Sequence, residues 1–127
     1  MTAEAAWLLA FLLIGHFLGD FTPLSTASML RAKVVGTPLG PIGAHAAVHS
    51  GLVAVAVALV AGPGLGLVAL AAALELVSHF AIDLGRGRLM RRFPPLGDQA
   101  NSSFWSVLGL DQLAHGLVLI GLALLVT

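Results

Sequence analysis

Residues 65–84 read LGLVALAAALELVSHFAIDL. A helix of about 20 apolar residues is about 30 Å long, which matches the hydrocarbon core of a lipid bilayer. This run is apolar almost throughout, and its most polar side chains are Glu75, His79 and Asp83. It therefore predicts a membrane-spanning helix that carries titratable groups into the membrane.

Comparable apolar runs occur before and after this one. We expect four spans in all, at about residues 5–21, 42–61, 65–84 and 103–126. Thr22 and Pro23 have the residue types of a helix start, which predicts a short interfacial helix from Pro23 to Val34. The first run lacks a basic segment before it, so a retained span is favoured over a cleaved signal peptide.

The connections between these runs are short. Residues 36–41, GTPLGP, break the chain before the second span, and Gly62-Pro63-Gly64 predicts a tight turn before the third. Residues 85–102 predict a polar loop before the fourth. The sequence thus indicates one all-α integral membrane domain over residues 1–127, an up-down four-helix bundle with a short interfacial helix after span one.

Composition excludes several classes of protein. Of the 127 residues 58% are hydrophobic and 9% are charged, whereas a soluble domain has about 25% charged residues. A lipid bilayer is the expected environment. The formal net charge is zero, which argues against a nucleic-acid partner. Cysteine is absent, so a metal ion would have to be bound by histidine, carboxylate or water.

The basic residues predict the orientation. All six lie in the two connections on one side of the membrane: Arg31, Lys33, Arg86, Arg88, Arg91 and Arg92. The excess of positive charge predicts that these connections are cytoplasmic and that both termini lie outside. A site for an anionic lipid or phosphate is the alternative explanation of the arginine-rich loop.

Histidine and aspartate recur in pairs, one pair for each span, and the two members of each pair are four positions apart. The pairs are His16 and Asp20, His45 and His49, His79 and Asp83, and Asp111 and His115. Residues with this spacing lie on one face of a helix. In an up-down bundle all four pairs come near the same membrane face, so we expect a single polar cluster close to the cytoplasmic edge. Small residues beside the pairs, such as Gly15, Gly19, Gly109 and Gly116, allow close helix packing.

Such a cluster needs a compensating charge. An aspartate inside a span costs about 2.5 to 3.5 kcal/mol on insertion scales. A divalent cation offsets this cost, and imidazole and carboxylate are ligands of zinc, iron and manganese, with zinc favoured here. The eight side chains would bind two ions bridged by an aspartate, or one ion supported by neighbouring polar groups.

Other functions use the same residues. The histidines would serve as haem ligands, or with the aspartates as di-iron ligands, in a non-enzymatic redox carrier. A proton or cation conductor is a further alternative, which four short helices would form only as a homo-oligomer. Within an enzyme, Glu75 and Asp20 are the candidates for proton transfer, and Gln112 could support a ligand or bind substrate.

The ordered motifs resemble a known family. They are GHFLGD at residues 15–20, the His45 and His49 pair, SHFAID at 78–83 and DQLAH at 111–115. This set is similar to a family of small bacterial integral membrane proteins catalogued only as a domain of unknown function. That family typically has a glutamine soon after the first aspartate, where this chain has residues 22–25, TPLS.

The spacing is also similar to that of membrane-bound metal-dependent hydrolases, in which helical histidine and aspartate pairs hold the catalytic metal. These resemblances imply a multi-pass protein of the bacterial inner membrane. The leading hypothesis is a zinc-type hydrolase that acts on a lipid or amphiphilic substrate at the cytoplasmic leaflet.

Overall fold

The computed structural model describes residues 2–62 and 64–127, and over these residues the chain is helical without a strand. Pro63, in the predicted Gly-Pro-Gly turn, lies outside the described residues. The elements in chain order are α1 (Ala3–Phe21), α2 (Ala27–Val35), α3 (Leu39–Val60), α4 (Leu65–Arg92), a short 3₁₀ helix (Pro94–Gly97) and α5 (Ser102–Val126).

The long helices form the predicted bundle. α1 packs against α3 and α5, and α4 packs against the same two helices, so the four helices enclose a common interior. Each of α1, α3, α4 and α5 is long and apolar enough to cross a membrane. The prediction of an all-α four-helix bundle is confirmed.

The bundle interior has an apolar half and a polar half. At the end that holds the chain termini, the core consists of aliphatic side chains, among them Leu8, Leu12, Val57 and Leu119. The histidine and aspartate pairs occupy the other half, towards the end of α1 and the start of α3. Burial of the aliphatic half excludes water and holds the helices at fixed spacing around the polar half.

The short helix α2 packs on α3 and α4 at the polar end. It was predicted to begin at Pro23 after a Thr22 cap, and this boundary is wrong. Thr26 is the cap: its hydroxyl accepts a hydrogen bond from the backbone N–H of Met29, and the helix begins at Ala27. Gly36 ends the helix with a φ of 74°, a left-handed conformation that glycine adopts without strain.

Helix α4 extends further than its apolar run. The predicted polar loop over residues 85–102 is wrong in its first part, because α4 continues to Arg92 and ends where Pro94 and Pro95 forbid another helical turn. Gly87 does not break this helix. It allows α2 to approach, since a Cβ atom there would overlap the backbone of Lys33 and Gly36.

Candidate metal centre

The histidine and aspartate pairs of the long helices meet in the polar half of the bundle. Neighbouring imidazole rings lie 3.8 to 5.7 Å apart between centroids. The rings of His45, His49, His79 and His115 are almost fully buried. The four-residue spacing therefore does place one face of each helix towards a common point, as the sequence indicates.

This arrangement depends on close packing of α1 against α3 at Gly19. A Cβ atom at Gly19 would overlap the imidazole of His49, so α1 approaches α3 closely only because residue 19 has no side chain. By contrast, a Cβ atom at Gly109 or Gly116 would meet nothing within 4 Å among the described residues. Only part of the small-residue pattern is explained by packing within this chain, over its described residues.

Asp83 lies between His79 and His115, and the Lys33 ammonium and His45 Nε2 are each 3.5 Å from one of its oxygens. The Nε2 atom of His79 is 3.4 Å from Asp83 Oδ2, and Nε2 of His115 is 3.8 Å from Asp83 Oδ1. Neither nitrogen and neither carboxylate oxygen has a hydrogen-bond partner among the described residues.

The hydrogen bonds of the other ring nitrogen explain why Nε2 of each histidine makes no hydrogen bond to Asp83. His79 Nδ1 lies 3.0 Å from Glu75 Oε1, and His115 Nδ1 lies 2.9 Å from the backbone carbonyl oxygen of Asp111. Both partners accept hydrogen bonds when Glu75 is ionised, so Nδ1 donates in each ring and a neutral ring presents a lone pair at Nε2. Two lone pairs thus face the Asp83 carboxylate, which is a site for a cation.

Asp20 lies closer to a cation than Asp83 does. The ammonium group of Lys33 donates a hydrogen bond of 2.7 Å to Asp20 Oδ1 and lies 3.2 Å from His45 Nε2. His45 Nε2 is itself 3.0 Å from the same aspartate oxygen, and His49 Nε2 is 3.4 Å from it. Lys33 therefore supplies the positive charge that Asp20 requires.

Ser25 completes the surroundings of His45. Its hydroxyl lies 2.7 Å from His45 Nδ1, inside the segment where the chain departs from the family pattern described above. A hydroxyl can donate or accept, so the tautomer of His45 follows whatever lies at Nε2. The ring is nonetheless oriented, with Nε2 directed at Asp20.

Lys33 and Arg86 belong to the site but were not predicted as site residues. All six basic residues were predicted to lie in the two connections, as topogenic charges or, for the arginine-rich loop, as a site for an anionic lipid or phosphate, but these two point into the bundle. Lys33 is buried, and the Arg86 guanidinium lies 3.5 Å from Asp111 Oδ2. Arg86 could have been identified from its position in the sequence, because it is three residues after Asp83 and so lies near the same face of α4.

Within the described part of the chain, the potential ligand atoms fall into two overlapping groups. One is Asp20, His45, His49 and His79; the other is His79, Asp83 and His115, and in each the atoms lie within 4.8 Å of one another. His16 and Asp111 belong to neither group. His16 is 3.6 Å from Asp20 and 3.4 Å from Gln112, while Asp111 pairs with Arg86.

The charges of the cluster do not balance. Among the described residues, the buried interior contains four carboxylates, Asp20, Glu75, Asp83 and Asp111, against two cationic side chains, Lys33 and Arg86. With neutral histidines two negative charges are left over. One divalent cation would neutralise them.

Comparison with known proteins identifies the family. The model of a family described as a protein of unknown function (DUF3307) matches residues 8–127, so the chain belongs to this family. The resemblance inferred from the motifs is confirmed. No curated protein and no solved structure matches the chain.

Proposed function

We propose that this member of the DUF3307 family is a membrane-embedded, metal-dependent hydrolase that binds one zinc-type ion through His79, Asp83 and His115. The observation that carries the proposal is the pair of imidazole lone pairs facing a fully buried carboxylate that accepts no hydrogen bond among the described residues, with the Lys33 ammonium 3.5 Å away. Three protein ligands leave a coordination position open for water, which is typical of catalytic zinc sites rather than structural ones.

The second group of ligand atoms supports catalysis in a different way. The Lys33 ammonium stabilises the ionised Asp20 carboxylate, so Asp20 accepts a proton only when this contact loosens during the reaction. Its oxygen is within 4.8 Å of a ring nitrogen of His79, and Asp20 also lines a crevice that reaches the surface of the bundle. His45, His49 and His16 surround Asp20 and fix its position.

Glu75 has a different geometry from Asp20. It contacts Nδ1 of His79, whereas the ion would lie at Nε2 on the other side of the ring. This arrangement favours Glu75 as the group that orients His79, and Asp20 as the proton acceptor. Asp111 positions His115 through its backbone carbonyl.

The reaction that fits these roles is hydrolysis of an ester or phosphoester. An ion held by His79, Asp83 and His115 would activate a water molecule, whose oxygen would form a bond to the acyl carbon or phosphorus as the bond to the leaving oxygen breaks. The proton released by the water passes to Asp20 and then to the leaving group.

The geometry favours this function over the two alternatives. Imidazole centroids 3.8 to 5.7 Å apart leave no space for a haem macrocycle between the rings. A conductor would need a polar path through the bundle, but the half that holds the termini has an aliphatic core over its described residues.

The exposed arginines favour a cytoplasmic site. Four basic residues remain exposed at the α2 end of the bundle: Arg31, Arg88, Arg91 and Arg92. By the positive-inside rule they support a cytoplasmic position for this end, in a bacterial inner membrane with both termini outside. The substrate is then a lipid or amphiphile of the cytoplasmic leaflet.

The test begins with metal content. Protein purified in detergent without chelator is expected to retain about one zinc ion per chain, and Asp83→Asn is expected to lose it. Asp98→Asn is the matched control, because Asp98 is an exposed carboxylate on the same end of the molecule. Retention of the ion by Asp83→Asn would overturn the assignment of the site.

Activity is tested on the same samples. Metal-loaded protein is expected to release p-nitrophenol from p-nitrophenyl decanoate or from decyl p-nitrophenyl phosphate, and Asp20→Asn is expected to lower kcat about a hundredfold while retaining metal. A metal-loaded protein that hydrolyses neither compound would overturn the hydrolase assignment. Bound iron with visible absorption would instead favour the redox carrier.

A further inference from the structure

A crevice opens between α1, α2, α4 and α5 at the polar end of the bundle. Its volume is about 130 Å³, a few times the roughly 30 Å³ that a water molecule occupies in the liquid. Polar side chains, namely Asp20, Lys33, Arg86 and Gln112, line one part of it. The crevice is therefore of a size for a small polar group and leads directly to the proposed proton acceptor.

Arg86 has unused hydrogen-bonding capacity in this crevice. Its side chain is 10% exposed, and its one hydrogen bond among the described residues is the long 3.5 Å contact with Asp111. The Nε atom has no partner within the described chain. A guanidinium group has five N–H donors in a planar fork, so most of them await an acceptor.

The group that best satisfies a buried guanidinium is an oxyanion. Phosphate and carboxylate accept two parallel hydrogen bonds from arginine, and such charge-assisted bonds are stronger than neutral ones. Lys33 lines the same crevice wall, where its ammonium is 2.7 Å from Asp20 and has further N–H donors. An anion here would also offset the cost of leaving the Arg86 donors unpaired.

The remaining wall is apolar. Phe21, Leu30 and Leu108 line the crevice beside the charged groups, and Phe21 is largely exposed on the outer surface of α1. In a bilayer this surface faces acyl chains. A ligand that fits both parts of the wall has an anionic head group and a hydrocarbon chain.

We infer that this crevice binds the oxyanion head group of an amphiphile through Arg86 and Lys33, with the hydrocarbon chain against Phe21, Leu30 and Leu108. The inference rests on the proposed function for its statement that this amphiphile is the substrate. Binding itself does not require the metal ion.

The experiment measures binding of n-decyl phosphate to detergent-purified protein by isothermal titration calorimetry. Arg86→Gln is expected to weaken binding about tenfold or more, because a buried charge-assisted pair of hydrogen bonds is lost. Arg88→Gln is the matched control, since Arg88 is exposed on the same helix, and is expected to leave the affinity unchanged. Equal affinity of wild type and Arg86→Gln would overturn the inference.

A second variant guards against misfolding. Leu108→Trp keeps every charge but narrows the crevice, and is expected to weaken binding about tenfold through steric overlap.

Decanoate is expected to bind as decyl phosphate does, while inorganic phosphate and decyl maltoside are each expected to bind at least about tenfold more weakly. Equal binding of inorganic phosphate would overturn the amphiphile as ligand, and equal binding of decyl maltoside would overturn the anion requirement.

The outcome is separable from that of the proposed function. Decyl phosphate is expected to bind chelator-treated protein with affinity within about threefold of wild type, because Arg86 is not among the groups proposed to bind the ion. Binding without any hydrolysis would support the crevice and contradict the hydrolase. Hydrolysis that is insensitive to Arg86→Gln and Leu108→Trp would contradict the crevice alone.

Discussion

Lys33 is the residue whose role the structure changes most. It lies on α2, outside every apolar run, yet its ammonium group is buried against Asp20 at 2.7 Å. A lysine near the end of a polar stretch has the sequence signature of a topogenic charge. Its contact with Asp20 depends on how α2 packs on α4, and that packing cannot be derived from helical spacing.

Lys33→Met is expected to destabilise the protein by about 3 to 5 kcal/mol, because it leaves the Asp20 carboxylate buried without its cation. The free energy of unfolding in mixed micelles measures the loss. Arg31→Met, on the exposed face of the same helix, is expected to change this free energy by less than about 0.5 kcal/mol. The double variant Asp20→Asn/Lys33→Met should recover much of the loss; no recovery would contradict a direct pair.

Gly19→Ala is expected to displace the imidazole of His49, because the added methyl group would occupy its place. We expect a destabilisation of about 1 to 3 kcal/mol in the same unfolding assay. Gly109→Ala is the matched control, since a Cβ atom there meets nothing within 4 Å over the described residues. Equal effects of the two substitutions would contradict close packing at residue 19.

The candidate ligands were predictable because helices are regular. Four-residue spacing fixes two side chains on one face without any knowledge of the partner helix, so His79 and Asp83 could be identified from sequence. What spacing could not decide was which atoms lack partners. Asp20 accepts a 2.7 Å hydrogen bond from Lys33, whereas Asp83 lies 3.5 Å from the same ammonium and faces two imidazoles, and this difference arises only when α2 and α5 are in place.

At the level of the helices, α2 packs over the polar end of the bundle and places the Lys33 ammonium beside Asp20. Its position depends on contact between its C-terminal turn and α4 at Gly87. The sequence predicts a polar loop in this part of α4, because the segment contains Arg86, Arg88, Arg91, Arg92, Pro94 and Pro95. Tertiary packing outweighs the low helix propensity of glycine, which costs about 1 kcal/mol per residue.

Gly87→Ala is expected to push α2 away from α4, since the methyl group would overlap the backbone of Lys33 and Gly36. Lys33 would then withdraw from Asp20. A cysteine introduced at Lys33, in the wild-type and Gly87→Ala backgrounds, should react with a water-soluble maleimide at least about tenfold faster in the latter. Gly85→Ala, where a Cβ atom meets nothing within 4 Å over the described residues, is expected to leave the rate unchanged.

For the whole molecule, the unbalanced carboxylates make bound metal a source of stability. An ion present at about 100 times its Kd stabilises the native state by about 2.7 kcal/mol, so chelation is expected to lower the Tm. Asp83→Asn should unfold at the same temperature with and without chelator. A chelator effect that persists in this variant would place the ion elsewhere.

The aliphatic half of the bundle, built around Leu8, Leu12, Val57 and Leu119, offers no polar path from the site towards the termini over the described residues. An ion or molecule that reaches Asp83 therefore has to leave from the polar end of the bundle, where it entered. Vesicles containing the reconstituted protein and an internal zinc-sensitive dye are therefore expected to show no zinc influx above empty vesicles. In an enzyme, substrate and product would then enter and leave on the same side of the bundle, so the product would have to dissociate before the next substrate binds.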